Sequence, residues 1–108
     1  MINNFQKTLE AVGLSALEAS IYSELIKSPR MTVSEISRAT NIKRATCYQY
    51  IDLLLSKDFI IRVPVGKRML YSAVSPKKVM LAARKRYALF ETGMEEMTKQ
   101  YDESTHKP

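Results

Sequence analysis

The first 56 positions carry apolar residues at intervals of three and four, a spacing that predicts a series of short amphipathic helices. The first and weakest covers residues 2–12 and ends at Gly13. The next two are predicted over residues 15–27 and 32–40, because each begins with a capping box in which a hydroxyl and a carboxylate bind opposite free amides. The capping boxes are Ser15 with Glu18 and Thr32 with Glu35. The faces expected to point inward are Leu17, Ile21, Leu25 and Ile26 in the former helix and Val33, Ile36 and Ala39 in the latter.

Another helix is predicted over residues 43–56, directly after a turn at Asn41. Asparagine tolerates the left-handed backbone conformation that a tight connection between two helices requires. A buried stripe is expected along Cys47, Ile51 and Leu54, which follow one another by four and then three residues. The opposite side is expected to carry Ala45, Gln49, Asp52 and Ser56.

The pattern changes after Asp58 to one that predicts a β-hairpin. Residues 59–63 and 69–74 are rich in β-branched and aromatic side chains, and residues 64–68 between them have the composition of a turn. The order of helix, tight turn, helix and hairpin predicts a mainly α winged helix-turn-helix domain over residues 1–75, with its wing tip at 64–68.

A long C-terminal helix is predicted from Pro76, with Ser75 as its N-cap, to about Tyr101. Its apolar residues are spaced by four and three in turn, which is the seam of a coiled coil. The seam comprises Ala83, Tyr87, Phe90, Met94, Met97 and Tyr101. We therefore expect a dimerisation helix over residues 76–103 and a frayed tail over 104–108.

The charge of the chain favours a polyanionic partner. The 108 residues have a formal net charge of +6, and the pI is about 9.6. Between Lys27 and Arg68, nine basic residues stand against three acidic ones. Charge of this kind suits nucleic acid, although it also suits an anionic membrane surface, an acidic protein or simple solubility. No apolar run approaches the roughly 18 residues of a membrane span, and the N-terminus lacks the layout of a signal peptide.

Catalytic and metal chemistry are not expected. One cysteine and one histidine are too few for a protein-only zinc site, and a single cysteine fits a reducing cytoplasm. Paired carboxylates, a nucleophile with its base and a phosphate loop are all absent. We expect no cofactor and no enzyme activity, a cytoplasmic, nucleoid-associated protein, and Cys47 as inert core filling rather than a redox sensor.

The helix over residues 43–56 is the candidate recognition helix, because the major groove admits a helix and displays a distinct edge for each base pair. Gln49 can pair with adenine, and Ala45 or Thr46 can contact a thymine methyl group. Tyr48 either contacts the DNA backbone or packs against the wing or the preceding helix. The full set of candidate DNA-binding residues is Thr32, Ser34, Arg38, Lys43, Arg44, Ala45, Thr46, Tyr48, Gln49, Lys67 and Arg68.

The segments 13–22, 32–36 and 42–48 resemble the TrmB family of winged-helix transcriptional regulators. The matching residues are Gly13, Leu14, Ser15, Glu18, Ala19, Tyr22, Tyr48, Tyr71 and Pro76. The resemblance implies a DNA-binding transcriptional regulator. The chain departs from the family at Asp58 and Phe59, where Gly and Leu are usual. It also ends after one long helix, so the resemblance does not carry over the sugar-sensing domain or an effector pocket.

The partners expected are double-stranded DNA and a second copy of the chain. The C-terminal helix is basic at its start and acidic at its end, which favours antiparallel pairing over parallel pairing. The alternative is that this helix folds back on its own domain. For function, the alternatives to a sequence-specific regulator are a low-specificity architectural chromatin protein and a winged-helix module that binds other proteins.

Overall fold

The computed structural model describes residues 5–104, and within them the predicted fold class is confirmed. Five helices and one two-stranded sheet follow one another along the chain. The elements are α1 Gln6–Ala11, α2 Ala16–Lys27, α3 Val33–Thr40, α4 Arg44–Ser56, β1 Ile60–Val65, β2 Arg68–Ala73 and α5 Pro76–Glu103. The start of the first predicted helix and all but the first residue of the predicted tail lie outside the described residues.

Both capping boxes are present and set the starts of α2 and α3. At α2, the Ser15 amide donates to Glu18 Oε1 over 2.8 Å and the Glu18 amide donates to Ser15 Oγ over 3.2 Å. At α3, Thr32 and Glu35 repeat the same two bonds at 2.8 and 3.2 Å. Local side-chain chemistry therefore fixes where these two helices begin.

The connection between α3 and α4 is a tight left-handed turn. Asn41 has φ 59° and ψ 29°, as predicted for this position. The Ser37 hydroxyl donates to the Ile42 carbonyl across the turn. The predicted stripe of α4 is confirmed, since Cys47, Ile51 and Leu54 are completely buried. The turn and the stripe together set the orientation of α4 against α3.

The wing is an antiparallel hairpin whose register runs from Ile60 opposite Ala73 to Val65 opposite Arg68. The predicted tip over residues 64–68 is too long, because Pro64 and Val65 continue β1 and leave a loop of only Gly66 and Lys67. Gly66 alone of this pair has a positive φ, +61°, which is typical of a type II′ turn. Met31 extends the sheet by exchanging backbone hydrogen bonds of 3.0 and 2.8 Å with Tyr71.

The core of residues 5–75 surrounds α2, which packs against α1, α3, α4 and β2. Tyr22 lies at its centre, with its ring edge-on to Phe59 at 5.2 Å between centroids and its hydroxyl donating to the Val74 carbonyl over 2.8 Å. Burial raises the pKa of Tyr22. One side chain thus joins α2 to the two residues that flank the strands at the base of the hairpin.

Two residues expected to point inward are exposed instead. Ile26 lies about 100° around the helix from Leu25, beyond the buried face of α2. Ala39 follows Val33 and Ile36 at steps of three, and each such step falls about 60° short of a full turn. The third residue in that series has therefore rotated away from the core.

Glu18 is a buried carboxylate, only 2% exposed, that binds the end of α4. Lys57 Nζ lies 2.9 Å from Glu18 Oε2 and 3.0 Å from Oε1, and it also donates to the Gly13 carbonyl over 3.2 Å. Burial would raise the pKa of Glu18, but the hydrogen bonds from the Ser15 amide and from Lys57 outweigh it and hold that pKa below its ordinary value. The start of α2 and the end of α4 are therefore joined by an ion pair.

The helix α5 begins at Pro76, as predicted, and continues through Gly93 to Glu103 without a break. It forms a compact unit of its own, separate from the unit that ends at Ser75. No side chain of α5 is buried among the described residues. Within residues 5–104, no helix has the length and apolar character needed to cross a membrane.

Candidate nucleic-acid interface

The surface of α4 that faces away from the core is polar and open. Successive residues of a helix are about 100° apart, so Ala45, Gln49 and Asp52 fall within about 60° of one another, opposite the buried stripe. All three side chains are exposed, as are Lys43 and Arg44. Arg44 and Thr46 lie about 160° apart on opposite flanks of this face, and Thr46 is half-buried. The candidate residues of α4 therefore form a central line with one group on each side.

Arg44 and Tyr48 form a pair on one flank of α4. Arg44 Nη2 donates to the Tyr48 hydroxyl over 3.5 Å, and the guanidinium carbon lies 6.0 Å from the ring centroid. Tyr48 is 43% exposed, so its ring is not part of the core. The aromatic ring supports the guanidinium at the surface, where a cation over an aromatic face is weakly attracted.

The start of α3 carries a second group of candidate residues. The Thr32 hydroxyl accepts from the Glu35 amide as the helix cap, and Ser34 is half-buried beside it. The amide and hydroxyl of Thr32 lower the pKa of Glu35, and the charges of Arg68 and Arg38 lower it further. The positive charges of the wing and of α3 thus both favour the ionised form of this carboxylate.

The wing carries two exposed basic candidates, Lys67 and Arg68, and a third basic residue, Arg62, that was not among the candidates. Lys67 lies in the two-residue loop and Arg68 begins β2, and both are exposed. Arg62 on β1 lies 3.8 Å from Asp52 on α4, measured from Nη2 to Oδ1. This exposed ion pair was missed in the sequence because no helical or strand spacing relates the two residues. It brings a basic side chain of the wing next to α4.

The predicted coiled-coil seam on α5 is largely exposed. Tyr87 is 74% exposed, while Phe90, Met94, Met97 and Tyr101 are each about half exposed and Ala83 is partly covered. Exposed apolar side chains in a continuous line on one helix are typical of a surface that meets another protein.

Metal and thiol chemistry find no support in the described residues. No group of His, Cys, Asp and Glu within residues 5–104 could hold a metal ion. Cys47 is completely buried, its thiol donates to the Ile42 carbonyl over 3.5 Å, and burial raises its pKa. A thiol with a raised pKa is a poor nucleophile at neutral pH.

A family model for the sugar-specific transcriptional regulator TrmB matches residues 9–77, which include all of α2, α3, α4 and the wing. The chain belongs to the TrmB family. The match confirms the resemblance carried by the segments 13–22, 32–36 and 42–48. It also agrees with the prediction that the chain is not an enzyme, because TrmB proteins are transcriptional regulators.

Solved structures share the fold of this TrmB-family chain at low sequence identity. The archaeal chromatin protein TrmBL2 superimposes with a TM-score of 0.72 at 23% identity, over 92% of this chain and 36% of TrmBL2. A possible transcriptional regulator from Methanosarcina mazei Go1 gives 0.64 at 12% identity, over 88% of this chain and 85% of that one. A MarR-family regulator from Silicibacter pomeroyi DSS gives 0.59 at 15% identity, over 82% and 61%. The TrmB-family chain thus spans about a third of TrmBL2, and no curated protein matches it.

Proposed function

We propose that this TrmB-family chain is a homodimeric, sequence-specific DNA-binding transcriptional regulator that inserts α4 into the major groove. The observation that carries the proposal is the exposed polar face of α4, held outward by the completely buried side chains of Cys47, Ile51 and Leu54. A helix fixed in this way presents base-reading side chains without loss of the core. Its place of action would be the nucleoid of the cytoplasm.

The central line of α4 is assigned to the bases. Gln49 is suited to a bidentate bond with adenine, and Ala45 to contact with a thymine methyl group. Lys43, at the start of the helix, is assigned to a guanine edge or a phosphate. Because Arg44 and Thr46 lie on opposite flanks, we assign them to base edges on either side of those read by the central line, with Tyr48 holding the guanidinium of Arg44.

Phosphate contacts are assigned to α3 and the wing. Ser34 and the amides at the start of α3 suit a phosphate oxygen, and Thr32 orders that turn as its cap. Arg38 and Arg68, both exposed, are assigned to phosphates of the adjacent backbone. Lys67 at the wing tip would reach the adjacent backbone or minor groove. These contacts position the protein on DNA without reading its sequence.

Dimerisation is assigned to the exposed seam of α5, which would present two copies of α4 to a two-fold site. A second copy of the chain is the partner that an apolar heptad seam suits. Two half-sites would then be expected about one helical turn of DNA apart, or at a multiple of that spacing.

The proposal is tested by comparing specific and random DNA with purified variants. After selection of a preferred site, Gln49→Ala and Arg44→Ala should each weaken binding to that site by about 1–3 kcal/mol and leave random-sequence affinity much less affected. Lys67→Ala should weaken binding to all sequences alike and lower the slope of log affinity against log salt by about one per site occupied.

Lys7→Ala provides the matched control for lost positive charge, because Lys7 is exposed on α1, outside the assigned surface. Titrations at several salt concentrations give both affinity and slope. If Gln49→Ala and Arg44→Ala keep the original ratio of affinities for the preferred site and for random DNA, the assignment of α4 to the bases is wrong. If Lys7→Ala and Lys67→Ala lose the same affinity for DNA, the effect of Lys67 is that of overall positive charge and not of a contact between the wing and DNA.

A low-specificity chromatin role is the second candidate, and the fold similarity to TrmBL2, an archaeal chromatin protein, favours it. Such a protein needs the same phosphate contacts but no base reading. The deciding quantity is the ratio of affinities for the best selected site and for random DNA at one salt concentration. A ratio of about 10³ or more supports the regulator, and a ratio near one supports the chromatin role.

A further inference from the structure

The charges of α5 are separated along its length. From Pro76 to Phe90 the helix carries five basic residues and no acidic one, and from Glu91 to Glu103 it carries five acidic residues and Lys99. Antiparallel pairing of two copies would place the basic half of each beside the acidic half of the other. It would also place the two helix dipoles antiparallel, with the start of each helix beside the end of the other. Parallel pairing would place like halves together.

The seam of α5 extends one residue further back than its six predicted members. Met80 is exposed and precedes Ala83 by three residues, which continues the alternation of three and four. Arg84 and Glu91 each follow a seam residue directly, so both lie along one edge of the seam. Arg86 precedes Tyr87 and lies along the other edge. These edges hold the residues that meet across a coiled-coil interface.

Two antiparallel registers keep the seam in contact, and the edge charges distinguish them. In an antiparallel coiled coil, each edge of one helix meets the same edge of its partner. When the two-fold axis passes midway between Tyr87 and Phe90, Arg84 of each copy meets Glu91 of the other. When the axis passes midway between Phe90 and Met94, the two Glu91 carboxylates meet each other instead. The first register gains two opposite-charge contacts, and the second has a like-charge contact at its centre.

We infer that two copies of this chain pair through α5 in an antiparallel register centred between Tyr87 and Phe90, with register and direction selected by reciprocal Arg84–Glu91 contacts. The inference rests on the proposed homodimer and adds the residues that specify its geometry. In this register Met80, Ala83 and Tyr87 of one copy face Met97, Met94 and Phe90 of the other. Arg86 lies near Gly93 of the second copy and meets no charge there.

Arg84 and Arg86 provide a matched pair for the test, because antiparallel pairing uses Arg84 in its charge contacts and parallel pairing would use Arg86. In a parallel dimer, the edge residue that precedes a seam position meets the partner's residue five positions later, which pairs Arg86 with Glu91. The two arginines are exposed on the same helix, two residues apart. A loss at one and not the other therefore reports the direction of pairing.

The experiment measures the dimer dissociation constant of the full chain by sedimentation equilibrium at low and high salt. We expect Arg84→Glu and Glu91→Arg each to raise that constant about tenfold at low salt, because each replaces two attractive contacts by two repulsive ones. The double variant Arg84→Glu with Glu91→Arg should return it to within about threefold of the original chain. Arg86→Glu should change it by less than about threefold, and the differences should shrink at high salt.

Other outcomes overturn the inference in distinguishable ways. A larger effect of Arg86→Glu than of Arg84→Glu would indicate parallel pairing. A tighter dimer in Glu91→Gln, which removes the repulsion between two facing Glu91 carboxylates, would indicate the register centred between Phe90 and Met94. Equal, small effects of all variants would show that these charge contacts do not select the register, while the proposed homodimer itself would stand. A monomeric original chain would overturn the dimer itself, and circular dichroism of each variant shows whether α5 remains helical.

Discussion

Asn41 and Asp58 are residues other than glycine that adopt left-handed backbones, and each lies at one end of α4. Asn41 has φ 59° before the helix and Asp58 has φ 64° after it. Asn and Asp enter this region more readily than other side chains, but glycine does so without steric cost. The departure from the family pattern at Asp58 is therefore a departure in residue type, while the backbone takes the conformation that glycine favours.

Replacement of Asp58 by glycine is expected to stabilise the fold. The change removes the side chain from a left-handed position at the start of the wing, where the Asp58 amide donates to the Leu55 carbonyl over 3.1 Å. We expect the relief of the left-handed strain to raise the free energy of unfolding by up to about 1 kcal/mol. The greater entropy of glycine in the unfolded chain should offset part of that gain. Urea denaturation measures this difference.

Asp52→Gly is the control for Asp58→Gly, because Asp52 is an exposed residue within α4 with an ordinary helical backbone. It should lower the free energy of unfolding by about 0.3 kcal/mol through helix propensity, and by a small further amount through loss of the exposed pair with Arg62. A loss of stability in Asp58→Gly as large as that in the control would mean that the aspartate side chain, rather than the backbone conformation, holds this turn.

At the scale of elements, the ion pair between Glu18 and Lys57 joins α2 to the end of α4, and we expect it to make the stability of their packing depend on pH. The pKa of Glu18 is lower in the folded protein than in a free glutamate, for which it is about 4.3. Its contribution to stability is therefore fully present above that value and is lost as the pH falls through the lower, folded pKa. The lowered pKa of Glu35 acts in the same direction.

Glu18→Gln should lower the free energy of unfolding at pH 7 by about 2 kcal/mol, because it removes the negative charge and one of the two oxygens that accept from Lys57. Below the folded pKa the variant and the original chain should approach one another, since Glu18 is then protonated in both states. Glu24→Gln, which alters an exposed pair with Lys27, should change stability little at any pH. A difference that persists undiminished in acid would show that the charge is not the cause.

Local patterns predicted the elements well, and long-range contacts account for what they missed. The two capping boxes, the Asn41 turn and the α4 stripe depend on residues within about four positions of one another, which a sequence displays directly. Lys57 and Glu18 are 39 residues apart, and Tyr22 and Val74 are 52 apart, so no periodicity relates them. For the site, the helix and the wing were predicted. The pair Arg62–Asp52 joins β1 to α4 and no spacing reveals it, whereas Arg44 and Tyr48 are four residues apart on one helix, a spacing that could have indicated their contact.

At the scale of the whole molecule, the two units would act together only if α5 doubles the DNA-binding surface. Each copy of α4 would occupy one half-site, and the seam would link the two binding events. Linked binding raises affinity because the second contact becomes intramolecular. Affinity for a two-fold site should therefore depend on residues of α5 that touch no DNA in the proposed arrangement.

Met94→Asp tests this dependence, because it places a charge within the seam. We expect a monomer that binds a two-fold site at least about 100-fold more weakly than the original chain, with about half the salt slope, since one copy releases about half the counterions. Binding to an isolated half-site should be nearly unchanged. Leu89→Asp adds the same charge at a residue that is 72% exposed and off the seam, and it should retain both the dimer and the affinity. If Met94→Asp became monomeric yet kept full affinity and slope on the two-fold site, the domain would read DNA one copy at a time, and α5 would serve another purpose.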